Sequence, residues 1–137
     1  MLSIRHYIVV LILIAIGDGI WIGSNMKMYN DATVAIQGSD IRMNPYGAII
    51  SYVCLYALLV LFAVPMVLDK VGGPKMSLLD KLFVSLRYGG LLGLLTYGIY
   101  NFTCLAILKK YPMKVAILDT LWGGMLFTIV CLVCTML

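Results

Sequence analysis

Glutamate is absent from this sequence, histidine occurs once, and charged residues of both signs make up only 12% of the chain. Each scarcity excludes something. A water-soluble domain is about a quarter charged and about half apolar, so a chain at 63% apolar lacks the polar surface to cover a water-facing body. His6 stands alone, with no His/Cys spacing around it, which leaves no metal site of the usual kind. No nucleophile–base pair, phosphate loop or dinucleotide fingerprint occurs. Only aspartates remain as general acids or bases, and the expectation is a non-enzymatic protein without cofactor or metal. Because all six carboxylates are aspartates, none has a long stem on which to reach for water, and the position of each is informative.

What the 137 residues do contain is apolar sequence, in four runs at about 7–23, 46–68, 88–108 and 115–137, with a mean hydropathy of +1.03. At 1.5 Å of helical rise per residue, runs of about 17 to 23 residues match a hydrocarbon core about 30 Å thick. The fold class expected is all-α: an integral membrane, four-helix antiparallel transmembrane bundle forming a single domain over 1–137. Arg5 and His6 precede the first run as in a signal peptide, but no small-residue cleavage site follows, and the run is read as a retained span. Pro45 opens the second run and Pro65 bends it near its end. Ser77 is a candidate N-cap with Asp80 in the first turn, so the third helix has a start in the interface. Pro112 suits the first turn of the fourth. Loop 109–114 is short enough to make the third and fourth helices antiparallel neighbours. Gly72-Gly73-Pro74 reads as a turn. The longest link, 24–45, holds a segment 31–38 that is either a short interfacial helix stopped by Gly38 or a polar loop.

The net charge of +4 is spread over the ends of the runs, where basic residues meet headgroups, and nucleic acid is not an expected partner. Topology cannot be read from it. Arg5, Lys70, Lys75, Lys81 and Arg87 fall on one side, and Lys27, Arg42, Lys109, Lys110 and Lys114 on the other. Cys54, Cys104, Cys131 and Cys134 lie inside apolar runs, and the Cys131-x-x-Cys134 spacing is read as packing rather than redox chemistry, with no basic neighbour to activate a thiol.

Two aspartates fall within the runs, Asp18 in the first and Asp119 in the fourth. Each is followed at i+3, on the same helix face, by a tryptophan: Asp18 by Trp21 and Asp119 by Trp122. A charged aspartate costs roughly 2.5–3.5 kcal/mol at a span's centre, against roughly 0.3–0.6 returned by each Ile, Leu or Val. Insertion is therefore affordable, but the carboxyl must find a partner or a proton. Helical rise puts Asp18 about 8 Å and Asp119 about 7 Å inside the same membrane side. At that level the third run presents Thr96, Tyr97, Tyr100, Asn101 and Cys104 as a polar stripe, with Asn101 about 12 Å deep. Tyr29 and the lysines of loop 109–114 lie above it. Candidate ligand- or ion-binding residues are thus Asp18, Asp119, Asn101, Tyr100, Tyr97, Trp21 and Trp122. Tyr52 and Tyr56 suit packing and an interfacial belt as well as they suit the site. The spacings Gly19-x-x-x-Gly23 and Gly89-x-x-x-Gly93 permit close helix approach.

The ordered triplet Asp18-Gly-Ile-Trp21-Ile-Gly23, Tyr97-Gly-Ile-Tyr100-Asn101-Phe-Thr103 and Asp119-Thr-Leu-Trp122-Gly123 resembles the domain-of-unknown-function 2177 family of small four-helix membrane proteins, with bacterial and large-DNA-virus members. The resemblance spans most of the chain and implies the fold, not an activity. It also implies aspartate at the position of Asn101 and asparagine at that of Cys104; these departures weaken a proton or cation site and favour a structural role. Two functions follow as expectations. One is a multi-pass membrane protein whose buried Asp/Asn/Tyr cluster binds or moves a cation, proton or small polar ligand. The other is a structural protein of a virion's internal membrane, anchoring coat proteins through its loops. The partners expected are the lipid bilayer, a second copy of the chain, or coat and scaffold proteins; the location is a cell membrane or a virion's internal membrane.

Overall fold

The computed structural model describes residues 2–72 and 76–137. Four helices are long and apolar enough to cross a membrane: Ile4–Ser24, Pro45–Lys70, Leu78–Ile107 and Met113–Cys134, here the first to fourth spans. The fifth helical element, Met26–Gln37, connects the first two spans.

Local chemistry sets the ends. The first span starts earlier than its apolar run because the Ser3 amide donates to His6 Nδ1 at 3.1 Å, closing the first turn. The connecting helix begins at Met26, earlier than the segment 31–38, and stops at Gly38, whose φ of 76° is left-handed. Asn30 ties the returning chain down, donating to Asp40 and accepting from the Ile41 amide. Asn44 caps the second span by accepting from the amides of Tyr46 and Gly47, with Pro45 in the first turn. Ser77 caps the third span through the Asp80 amide. That span then runs from Leu78 through 30 residues, about 45 Å, well beyond the hydrocarbon thickness. The turn at Gly73-Pro74 lies outside the described residues.

Two spans contain a widened π turn. Leu59–Ala63 in the second precedes Pro65, whose ring would clash with a carbonyl one turn back in a regular helix. Ser85–Gly90 in the third lies where Gly89 and Gly90 press against the fourth span. The third and fourth spans are the closest pair, as their short loop requires. Gly89 faces Cys131, Gly93 faces the Gly123 carbonyl and Phe127, and Gly123 lies under the Tyr97 ring. The other glycine spacing is not used: Gly19 and Gly23 have nothing within 4 Å, and the first span makes its close approach at Gly17, against Leu126 and Trp122. Gly17 adjoins the buried Ile14 and Asp18, whereas Gly19 and Gly23 point away.

The dry core occupies one half of the bundle. Val10 and Ile14 meet Leu59, Val60, Ala63, Val64 and Val67, and Leu126, Phe127, Val130, Cys131 and Cys134 complete it. Cys131 and Cys134 are free thiols packed as small hydrophobes. At this end Lys81 Nζ donates to the Thr135 carbonyl, closing the C-terminus of the fourth span with a cation. The second span is fully buried only from its π turn onward; before it, Leu55, Tyr56 and Leu58 pack partly against the core and residues 45–54 are largely exposed. The other half of the bundle is therefore left to the polar residues.

Candidate functional site

Asp18, Asn101 and Asp119 each lie six residues inside a helix end, about 9 Å by helical rise, on the side of the connecting helix. The two Asp-x-x-Trp motifs cross over. Trp122 of the fourth span donates through Nε1 to Asp18 Oδ1 of the first at 2.7 Å. Trp21 stacks on Trp122 with ring centroids 4.9 Å apart and planes 1° from parallel. Trp21 Nε1 donates to the Tyr29 hydroxyl at 2.8 Å, and that hydroxyl donates to Asp119 Oδ1 at 2.5 Å. The aspartates are thus linked through tryptophans and a tyrosine and do not touch.

Asp119 is fully engaged. Its Oδ2 accepts from Asn101 Nδ2 at 2.7 Å, and the same amide reaches the Tyr97 carbonyl at 2.9 Å. Asn101 Oδ1 accepts from the Tyr111 hydroxyl at 2.6 Å. Asn101 is wholly buried behind the carboxylate. Asp18, at 6% exposure, is engaged less completely: Oδ1 accepts from Trp122 and the Tyr52 hydroxyl faces the carboxyl from the second span, with no other side-chain donor bonded to it among the described residues. No lysine or arginine forms an ion pair with either carboxylate among the described residues. A carboxylate at this depth without a cation or a full set of donors is costly.

Beside Asp18 lies a cleft of about 620 Å³ between the second and third spans. Asp18 and Asp119 are in its wall, with Tyr52, Leu55 and Leu58 from the second span and Thr96, Tyr97 and Tyr100 from the third. Of the residues singled out from the sequence, Asp18, Asp119, Tyr97 and Tyr100 therefore line one space, and Trp21 and Trp122 form the stack beside it. Asn101 does not reach the cleft and acts on Asp119 instead. Tyr100 is 63% exposed and lies at the rim. Cys104 is not among the lining residues. Sequence reasoning missed Tyr111, and it saw Tyr29 only as a neighbour. Both are aromatics with a hydroxyl in the segments that connect spans, Tyr29 in the connecting helix and Tyr111 in the loop 109–114, a signal that hydropathy windows discard. Among the described residues no three His, Cys or Asp side chains are grouped to hold a metal.

Burial, and then the hydrogen bond to Asp119, raise the pKa of the Tyr29 hydroxyl; burial and the neighbouring Tyr100 raise that of Tyr111. Both therefore remain protonated donors throughout the physiological range. A raised tyrosine stabilises the fold fully below the unfolded value of about 10 and loses that contribution as pH climbs through the folded value. Removing the hydroxyl acts at any pH. Tyr29→Phe deletes a charge-assisted bond worth about 1.5–3 kcal/mol, so amide exchange across residues 26–37 is expected to accelerate at least about tenfold, with the core half of the fourth span unchanged.

No curated protein and no solved structure matches the chain. A family model does, over residues 3–136, essentially its full length. With four spans and a polar cluster built from the motifs shared between them, the chain belongs to that family, DUF2177, described as a predicted membrane protein.

Proposed function

We propose that this integral membrane protein is a non-catalytic binding protein that holds an organic cation in the cleft between its second and third spans. The observation that carries the reading is Asp18: a buried carboxylate with one oxygen fixed by Trp122, faced by the Tyr52 hydroxyl and by no cation among the described residues, set in the wall of a cleft. A cation would supply the charge that the protein withholds. Tyr52, Tyr97 and Tyr100 in the lining favour an ammonium group, which aromatic faces attract, over a bare metal ion, which asks for several oxygen ligands. Asp119, held by Tyr29 and Asn101, adds negative potential without offering a free oxygen.

The test uses the purified protein in lipid nanodiscs with benzyltrimethylammonium as probe and neopentylbenzene, its uncharged isostere, as control. Calorimetry is expected to show saturable binding of the cation, weakened at least about tenfold in Asp18→Asn, which is 1.4 kcal/mol. The amide oxygen of the variant still accepts from Trp122, so the fold is expected to survive. Equal affinity for the two probes, or for the two proteins, would refute the reading and favour the structural anchor that docks coat proteins through its loops.

A further inference from the structure

Resting on that reading of Asp18, we infer that the ligand is a single-chain amphiphile with an ammonium head, taken into the cleft sideways from the bilayer. The route from water is closed. The Tyr29 and Tyr111 hydroxyls converge on Asp119 and Asn101 from above, and the Trp21–Trp122 stack stands over Asp18. The route from lipid is open. The second span is fully buried only from its π turn; residues 45–54 stand exposed but for half-buried Ala48, and Leu55, Tyr56 and Leu58 pack only partly against the core. The gap so formed faces the third span between Tyr52 and Tyr100, both exposed. Tyr52 is seven residues inside the Pro45 end and Tyr100 seven inside the Ile107 end, each about 10 Å deep, so the mouth opens into hydrocarbon.

The chemistry of that mouth selects the ligand. A hydrated ion or a small polar solute would have to cross acyl chains to reach it. A fatty acid or an anionic lipid would meet two carboxylates of its own sign. An amphiphilic amine already has its chain at this depth and its head in the interface just above. Its head pairs with Asp18 Oδ2 beside the tyrosines, and its chain lies along Leu55 and Leu58.

Two tryptophans are present in the whole chain, stacked together beside the cleft with Trp122 bonded to Asp18, so tryptophan emission, excited selectively over the tyrosines, reports on its surroundings. The protein in phosphatidylcholine nanodiscs is titrated with an undecyl trimethylammonium carrying bromine on its tail, a contact quencher, and with the equally brominated fatty acid. The expected result is saturable quenching by the amine at low mole fraction in lipid, reversed by unbrominated dodecyl trimethylammonium. Asp18→Asn is expected to need at least tenfold more amine, and the acid to quench no better than brominated phosphatidylcholine. Equal quenching by amine and acid, or no reversal by the competitor, would overturn the inference; the competition needs no variant. If benzyltrimethylammonium binds through Asp18 while the brominated amine is indistinguishable from bulk lipid, sideways capture is wrong and the cation site stands. If neither binds, both are wrong.

Discussion

Gly123→Val is expected to prevent the third and fourth spans from closing. A Cβ on Gly123 would lie within the Tyr97 ring, against its Cγ, Cδ2 and Cβ. Tyr97 borders the cleft, but the atoms in the way include its Cβ and Cγ, which its helix holds in place. Its ring sits edge-on to Phe127 at 6.5 Å, and one turn toward the helix start Gly93 is already against the Gly123 carbonyl. Overpacking of a core costs typically about 1–3 kcal/mol where side chains can adjust, and here the obstruction is the root of the Tyr97 side chain, its Cβ and Cγ, rather than a flexible tip. A loss above about 3 kcal/mol is expected, read as a shift in the folded fraction on titration with sodium dodecyl sulfate. Gly19→Val is the control. With nothing within 4 Å of its Cβ position, it is expected to stay within about 0.5 kcal/mol of the parent.

The same contact sets the register on which the site depends. With Gly93 and Gly123 in place, Asn101 lies two turns further along the third span and Asp119 one turn back along the fourth, which brings amide and carboxylate to 2.7 Å. Closing the two spans and engaging Asp119 are therefore one event. Gly123→Val should accordingly shift tryptophan emission too, since Trp122 neighbours the substituted position and bonds Asp18.

The four spans were legible because hydropathy adds over a window of about twenty residues and lipid tolerates few alternatives to helix. The level of Asp18 and Asp119 was legible for a similar reason: rise per residue is fixed, so depth follows from counting. Rotation about each helix axis was not. Whether the carboxyls meet, or Asp18 takes Trp122 while Asp119 reaches Trp21 only through Tyr29, depends on crossing angles, which four separate runs do not encode. The glycine spacings illustrate the difference. Gly89 and Gly93 face the partner helix, while Gly19 and Gly23 face outward, and Asp18 was the residue that marked the inner face. Pro65 announced a bend in the second span, but not that the helix would widen before it and leave residues 45–54 largely exposed, with Leu55, Tyr56 and Leu58 only partly packed on the core. The cleft is the consequence of that departure, which is why no motif signalled it.

Asp119→Asn tests whether the polar cluster is a structural lock as well as the wall of a site. The native carboxylate accepts from two donors, the Tyr29 hydroxyl and the Asn101 amide. An asparagine has one acceptor oxygen and a donor NH₂ in its place. If its oxygen takes Tyr29, its NH₂ confronts the NH₂ of Asn101. Turning Asn101 over would relieve that clash, but only by withdrawing its amide from the Tyr97 carbonyl and its oxygen from Tyr111. Every arrangement leaves at least one buried group without its partner, at a cost of about 1–3 kcal/mol, besides the charge assistance lost. The variant is therefore expected to lose about 2–4 kcal/mol in the same detergent titration and to expose the connecting helix to amide exchange as Tyr29→Phe does. Asp119→Ala, which removes the clash but leaves two donors unpaired, should fall in the same range. Parental stability in both would mean that the bonds to Asp119 contribute nothing net to holding the connecting helix and the third span against the fourth.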